Sequence, residues 1–160
     1  MLDVDGVLTD GRLYFTAAGE EMKVFHSRDG HGLKLLREGG VEIAIISGRS
    51  SRAVERRAAE LGIKRVYQGI EDKAAVMDEL LAELGIERAE AAYMGDDVVD
   101  LPVMRVCGFA VTVPEAPEIV KRHAHYVAAC PGGGGAVREA CELILSAQGT
   151  LQDRLDGYLK

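Results

Sequence analysis

Two acidic clusters stand out. Asp3-Val4-Asp5-Gly6 sets two carboxylates two positions apart, and Gly95-Asp96-Asp97-Val98-Val99-Asp100 sets three within five residues. Carboxylates this close repel unless a cation or a shared proton neutralises them. A hard, oxygen-ligated ion such as Mg2+ suits the set, with Asp3, Asp5 and Asp96 as its metal residues. Two other groups favour an anion. Ser47-Gly48-Arg49 follows an apolar run, so its hydroxyl and N–H groups can cradle a phosphate ahead of a helix. Lys73 opens another predicted helix, where a cation opposes the helix dipole. Each feature has a plainer reading. Asp-x-Asp-Gly also occurs in solvated turns, Asp97 can cap a helix, Ser47 or Ser50 can do the same, and Lys73 can be a surface lysine. Taken together they supply what phosphoryl transfer needs: charge neutralisation and an in-line nucleophile.

The predicted elements bring these groups to one edge. Met1 to Gly6 reads as the end of a buried strand running into a glycine turn. Only two residues precede Asp3, which is short for a central strand, so the natural chain is expected to start further upstream. Residues 12–16 and 21–26 alternate about Gly19, predicting a β-hairpin. Helices are expected over 30–37, 51–61, 72–84, 98–106, 116–122 and 136–147, with strands over 41–46, 64–68, 91–94, 109–113 and 125–129. This alternation predicts an α/β fold: a Rossmann-like three-layer α/β/α arrangement with a parallel sheet and an added hairpin. Ligands in such sheets bind beyond the carboxyl ends of the strands. Asp3, Ser47 and Asp96 fall there, and Lys73 starts a helix at the same edge. The domain is expected over 1–147, with 148–160 a flexible tail, extended or disordered.

Composition narrows the partners. The chain has 160 residues, 19 basic and 26 acidic, for a net charge of −7. That length is one domain, and the negative balance argues against nucleic acid or an anionic membrane as partner. No apolar stretch is long enough to span a bilayer. Three cysteines without metal-like pairing suit a reducing compartment, hence the cytoplasm.

The order and spacing of Asp3-Val-Asp5, Ser47, Lys73 and Gly95-Asp96-Asp97 with Asp100 resemble a haloacid dehalogenase-superfamily phosphatase over nearly the whole chain. The resemblance implies that Asp3 is the nucleophile and forms an aspartyl-phosphate. Asp5 would protonate the leaving alkoxide and then activate water. Mg2+ would be held by the Asp3 and Asp96 side chains and the Asp5 carbonyl. Ser47 and Lys73 would hold phosphoryl oxygens, and Asp100 would orient Lys73 or the metal's waters. Only 41 residues separate Asp5 from Ser47, and 25 separate Ser47 from Lys73, which leaves no room for a cap domain.

Longer stretches are similar to the 3-deoxy-D-manno-octulosonate (KDO) 8-phosphate phosphatase subfamily of lipopolysaccharide precursor synthesis. These are DVDGVLTDG, the hairpin with Gly19-Glu20-Glu21, residues 26–32, Ile46 to Arg49, Tyr67-Gln68-Gly69, GDDVVDLPVM and Gly135 to Glu139. The resemblance implies a homotetramer assembled through the hairpins, with a neighbour lending surface to each site. It implies contacts to the sugar-acid carboxylate or hydroxyls from Arg49 and Arg57, with Gly48 beside the phosphate and the 26–30 loop, including Arg28, Asp29 and Gly30, lining the substrate through its backbone. Arg57 on a solvated helix face is the plainer reading. The rivals are a phosphatase for a nine-carbon sialic-type sugar acid 9-phosphate, whose relatives tend to carry Glu where this chain has Arg49, a broad sugar-phosphate or nucleotide phosphatase, and a non-catalytic assembly module.

Overall fold

The computed structural model describes residues 1–160. Its elements alternate as the sequence predicts. The strands are β1 (Tyr14–Phe15), β2 (Glu21–Met22), β3 (Ala44–Ile46), β4 (Arg65–Tyr67), β5 (Ala92–Met94), β6 (Phe109–Thr112) and β7 (Tyr126–Val127). The helices are α1 (Ser27–Glu38), α2 (Arg52–Leu61), α3 (Lys73–Leu84), α4 (Leu101–Met104), α5 (Glu118–Lys121), α6 (Ala136–Ala147) and α7 (Leu151–Asp156). β3 pairs with β4, and β5 with β6 and then β7, all parallel. Leu2 bridges Ile45 on one side and Met94 on the other. The order is therefore β4-β3-(Leu2)-β5-β6-β7, in which the chain direction of winding reverses beside the first segment. That reversal is where an open α/β sheet places its ligand crevice. The intervals after Asp5 and after Ser47 are filled by the hairpin, α1, β3, α2 and β4, with no cap.

Local chemistry sets the helix ends. Asp72 caps α3, its carboxylate accepting the Ala75 N–H at 3.0 Å, and Gly62 and Gly85 close α2 and α3 in the left-handed region. Leu33, Leu35 and Leu36 of α1 and Val137, Cys141 and Leu145 of α6 are buried in the core.

Four expectations need correction. The hairpin ladder holds only two residues per strand, Tyr14 opposite Met22 and Phe15 opposite Glu21. α1 begins at Ser27, so Arg28, Asp29 and Gly30 form its first turn rather than a loop. The helix expected over 98–106 is a 3-10 turn followed by α4, with Pro102 at its start. The tail is helical: α7 and a 3-10 turn over Gly157–Leu159 return to the body, where the Tyr158 ring meets His31 edge-on at 5.4 Å.

An apolar cleft of about 540 Å3 lies beside Met1. Leu33, Leu36, Ile43, Leu80, Leu81 and Ile144 line it. The Met1 ammonium donates to Ala92 O at 2.8 Å, and burial lowers its pKa to about 6.

Candidate active site

Asp3 leaves the middle of the sheet with its N–H bonded to Met94 O at 2.9 Å. Its carboxylate is buried at the carboxyl edge, where Oδ1 lies 2.9 Å from Lys73 Nζ. Lys73 is the first residue of α3, so the helix start aims this ammonium at the sheet edge. It also donates to Asp100 Oδ1 at 2.7 Å, an oxygen that accepts the Tyr93 hydroxyl at 2.7 Å as well. The second Asp100 oxygen accepts the backbone N–H groups of Asp96 and Asp97 at 3.0 and 3.2 Å. Asp100 is thus wholly engaged in support. It fixes Lys73 and shapes the loop that carries Asp96, and Asp97 caps that turn by accepting the Val98 N–H at 2.7 Å.

Asp96 lies directly over the turn that follows Asp3. A Cβ built on Gly6, whose φ is +89°, would meet Asp96 Oδ2 at 2.1 Å. Only glycine allows both that conformation and that approach. One oxygen each from Asp3, Asp96 and Asp100 lie within 4.8 Å of one another. Burial, followed by the Asp100 charge, raises the Asp3 pKa to about 6 against the pull of Lys73. Burial and the Asp3, Asp100 and Asp97 charges raise Asp96 to about 7. For Lys73, burial disfavours the charge, but Asp3 and Asp100 outweigh it and the pKa stands above its usual value. Since Asp100 is saturated, Asp3 and Asp96 are the carboxylates available to a cation. Two crowded, partly desolvated carboxylates form an all-oxygen set that fits a hard divalent ion.

Asp5 points to a different group of partners. Lys23 Nζ donates to its Oδ1, and Arg49 Nε stands 3.7 Å from Oδ2, which is buried without a hydrogen bond. Glu21 joins the same group: Arg49 Nη2 donates to its Oε1 at 3.0 Å, and Lys23 Nζ is 3.5 Å away. Burial acts against the Glu21 charge, but Ser51, Arg49 and Lys23 hold its carboxyl below the usual range. Ser47 ends β3 at the same edge, buried, with its N–H on Tyr67 O at 2.9 Å and its Oγ accepting the Arg49 N–H at 3.4 Å. Gly48 and Arg49 are exposed at the rim.

Two predicted substrate residues have their side chains engaged elsewhere. Asp29 is 1% exposed, and its carboxylate accepts the N–H groups of Gly135 and Arg138 at 3.2 and 2.8 Å. It clasps the start of α6 to α1 rather than facing the crevice. Arg57 lies behind α1: a Cβ on Gly30 would meet its Nη2 at 2.1 Å, and its Nη1 is 3.4 Å from Glu60. Arg28 is exposed on the first turn of α1 and makes no ion pair. Lys23, Glu21 and Tyr93 were not singled out from the sequence. A signal existed for the first two, because Glu21 and Lys23 share one side of an alternating ribbon whose other side is apolar.

The match to the haloacid dehalogenase-like hydrolase family model spans residues 23–108. The 3-deoxy-D-manno-octulosonate 8-phosphate phosphatase KdsC of Yersinia pestis is 46% identical over 155 residues, covering 97% of this chain and 81% of the relative. The crystal structure of the phosphatase of that name from Moraxella catarrhalis, in complex with magnesium ion, phosphate ion and KDO, is 44% identical. It superposes with a TM-score of 0.96 over 98% of this chain and 90% of that one. The cobalt-bound form of the deoxy-D-mannose-octulosonate 8-phosphate phosphatase from Haemophilus influenzae is 43% identical, with a TM-score of 0.93 over 99% and 94% of the two chains. An unbroken sheet-edge site and these likenesses agree: the chain belongs to the haloacid dehalogenase-like hydrolase family.

Proposed function

We propose that this chain is a Mg2+-dependent phosphatase that hydrolyses KDO 8-phosphate to KDO and phosphate. The observation that carries the reading is its likeness along nearly its whole length to a phosphatase holding magnesium, phosphate and KDO. Asp3 and Asp96, with the Asp5 carbonyl, would hold Mg2+, which supplies positive charge to the phosphoryl oxygens. Asp3 attacks phosphorus, the bond from phosphorus to the sugar oxygen breaks, and Asp5 gives that oxygen a proton. Water then attacks the aspartyl-phosphate, Asp5 takes the water's proton, and Asp3 is released. Ser47, the Gly48 backbone and Lys73 hold phosphoryl oxygens, and Asp100 positions Lys73. Arg49 at the rim meets the sugar-acid carboxylate, a match to its two-pronged guanidinium, where relatives acting on nine-carbon sugar acids tend to carry Glu. The enzyme acts in the cytoplasm, in keeping with three free cysteines. No helix is long and apolar enough to cross a membrane.

The hairpin supports assembly with further copies of this chain, as a tetramer. Leu13, Phe15, Met22 and Val24 are 48–59% exposed on one small ribbon. An apolar patch of that kind marks an interface. A Phe15→Ser, Val24→Ser double variant is expected to sediment as a smaller species than the parent chain, and an unchanged sedimentation coefficient contradicts this assembly surface.

Phosphate release from a panel of sugar-acid phosphates tests the substrate. KDO 8-phosphate is expected to give the highest kcat/KM, with Mg2+ required. Asp3→Asn should reduce turnover by at least about 10⁴-fold, as removal of a catalytic nucleophile does. A higher kcat/KM on a nine-carbon 9-phosphate would replace the substrate assignment.

The raised carboxyl pKa values predict a link between metal and pH. Asp3 and Asp96 bind protons more tightly in the folded chain, with values of about 6 and about 7. Between pH about 4, the unfolded value, and pH about 7 the folded state therefore holds more protons, and its stability falls as pH rises. A bound cation removes this penalty. Mg2+ is expected to raise Tm more at pH 8 than at pH 5, with proton release on binding measurable by calorimetry in buffers of different ionisation enthalpy.

A further inference from the structure

We propose that Lys23 is a positioning residue for Asp5, holding its carboxylate for proton transfer at the leaving oxygen. The inference rests on the phosphatase reading and adds to it a role for the hairpin. Met22 and Val24 are 57% and 58% exposed, yet the Lys23 side chain between them is 2% exposed. It turns inward and donates to Asp5 Oδ1. That contact is the hydrogen bond the Asp5 side chain makes, for Oδ2 has none and Arg49 Nε is 3.7 Å from it. Glu21 flanks the ammonium at 3.5 Å and takes Arg49 at 3.0 Å, so Lys23 is itself fixed between two carboxylates.

Asp5 sits on a tight turn, one residue before Gly6. Without the ammonium, its carboxylate keeps its place in the chain and loses the donor that fixes its rotamer. In the first step the phosphorus–oxygen bond to the sugar breaks, the electron pair goes to that oxygen, and the Asp5 proton follows it. The carboxylate left behind then accepts a charge-assisted hydrogen bond from Lys23. In the second step the water's proton returns to Asp5 as the water oxygen bonds to phosphorus and the bond to Asp3 breaks. An aryl phosphate, whose leaving oxygen departs without a proton, bypasses the first transfer. The contribution of Lys23 to kcat/KM therefore depends on the leaving group.

The experiment compares Lys23→Met and Lys23→Arg with the parent protein, with Mg2+ present, on KDO 8-phosphate, β-glycerophosphate and p-nitrophenyl phosphate. Circular dichroism and Tm check that both variants fold. Lys23→Met is expected to lower kcat/KM about a hundredfold on the alkyl esters, and at most about threefold on the aryl ester. Lys23→Arg is expected to recover most of the loss, because the guanidinium keeps a charged donor at the same place. An equal loss on alkyl and aryl esters overturns the proposal and makes Lys23 a structural or binding group. So does a loss on neither, or a variant that fails to fold together with an active Lys23→Arg showing no leaving-group dependence. A parent protein that releases no phosphate from any ester overturns the phosphatase reading itself, a result distinct from these.

Discussion

The structure turns on crowded negative charge. Asp3, Asp96 and Asp100 bring oxygens within 4.8 Å of one another at the sheet edge, and Lys73 is the cation between them. Two like charges about 4 Å apart repel by about 4 kcal/mol at an effective dielectric of 20. Packing alone gives no reason to gather them. The fold tolerates the cluster because its members are unequal. Asp100 is 0% exposed and bound by two side chains and two backbone N–H groups. A carboxylate so fully hydrogen-bonded acts as a fixed strut. Asp3 and Asp96 lack that support, and their raised pKa values express the imbalance. The site is poised for a cation because one acid is satisfied and two are not.

Close backbone approach makes the crowding possible. Gly6 lets Asp96 lie on the turn after Asp3, and the glycine run does the same from the other side. A Cβ on Gly132 would meet Gly6 O at 1.9 Å, and the Gly133 N–H bonds Val7 O at 2.9 Å. Glu139 anchors that run, accepting the N–H groups of Ala129 and Cys130 at 2.9 Å each. The turn after Asp3 is thus clamped between two loops by main-chain contacts that side chains would prevent. Such clamping is how a fold holds side chains within the narrow geometric tolerance a binding or reacting site demands.

What the sequence revealed follows from how each residue announces itself. The positions of Asp3, Ser47 and Asp96 were legible because each is a polar residue just after an apolar run, and the parallel topology brings such ends together; Lys73 was legible as a cation at a helix start, against the helix dipole. The structural task of the Asp29 side chain was not legible, for a physical reason. Its neighbours suggested a substrate loop, but α1 starts earlier than the glycines imply, and that turns its carboxylate onto the start of α6. Arg57 has the type suited to a carboxylate, while its helix register sends it behind Gly30. The tail was unreadable because Leu151 and Leu155 offer one short apolar pair, and its helix depends on contact with α6 rather than on propensity.

The hairpin inverts the usual arrangement of a surface ribbon. Glu21 and Lys23 face the body, and Met22 and Val24 face out. A side chain changes face with every residue, so one slip of register would expose the charges and bury the apolar pair. The two faces cannot be adjusted independently. Whatever covers Phe15, Met22 and Val24 must also fix where Lys23 meets Asp5. A ladder of two residues per strand is too short to hold that register alone. Its register must come from contacts on both faces: ionic ones inward to Asp5 and Arg49, and apolar ones outward. The two faces of the ribbon are therefore coupled by geometry, because the exposed apolar surface of Met22 and Val24 is the reverse side of the surface whose Lys23 meets Asp5.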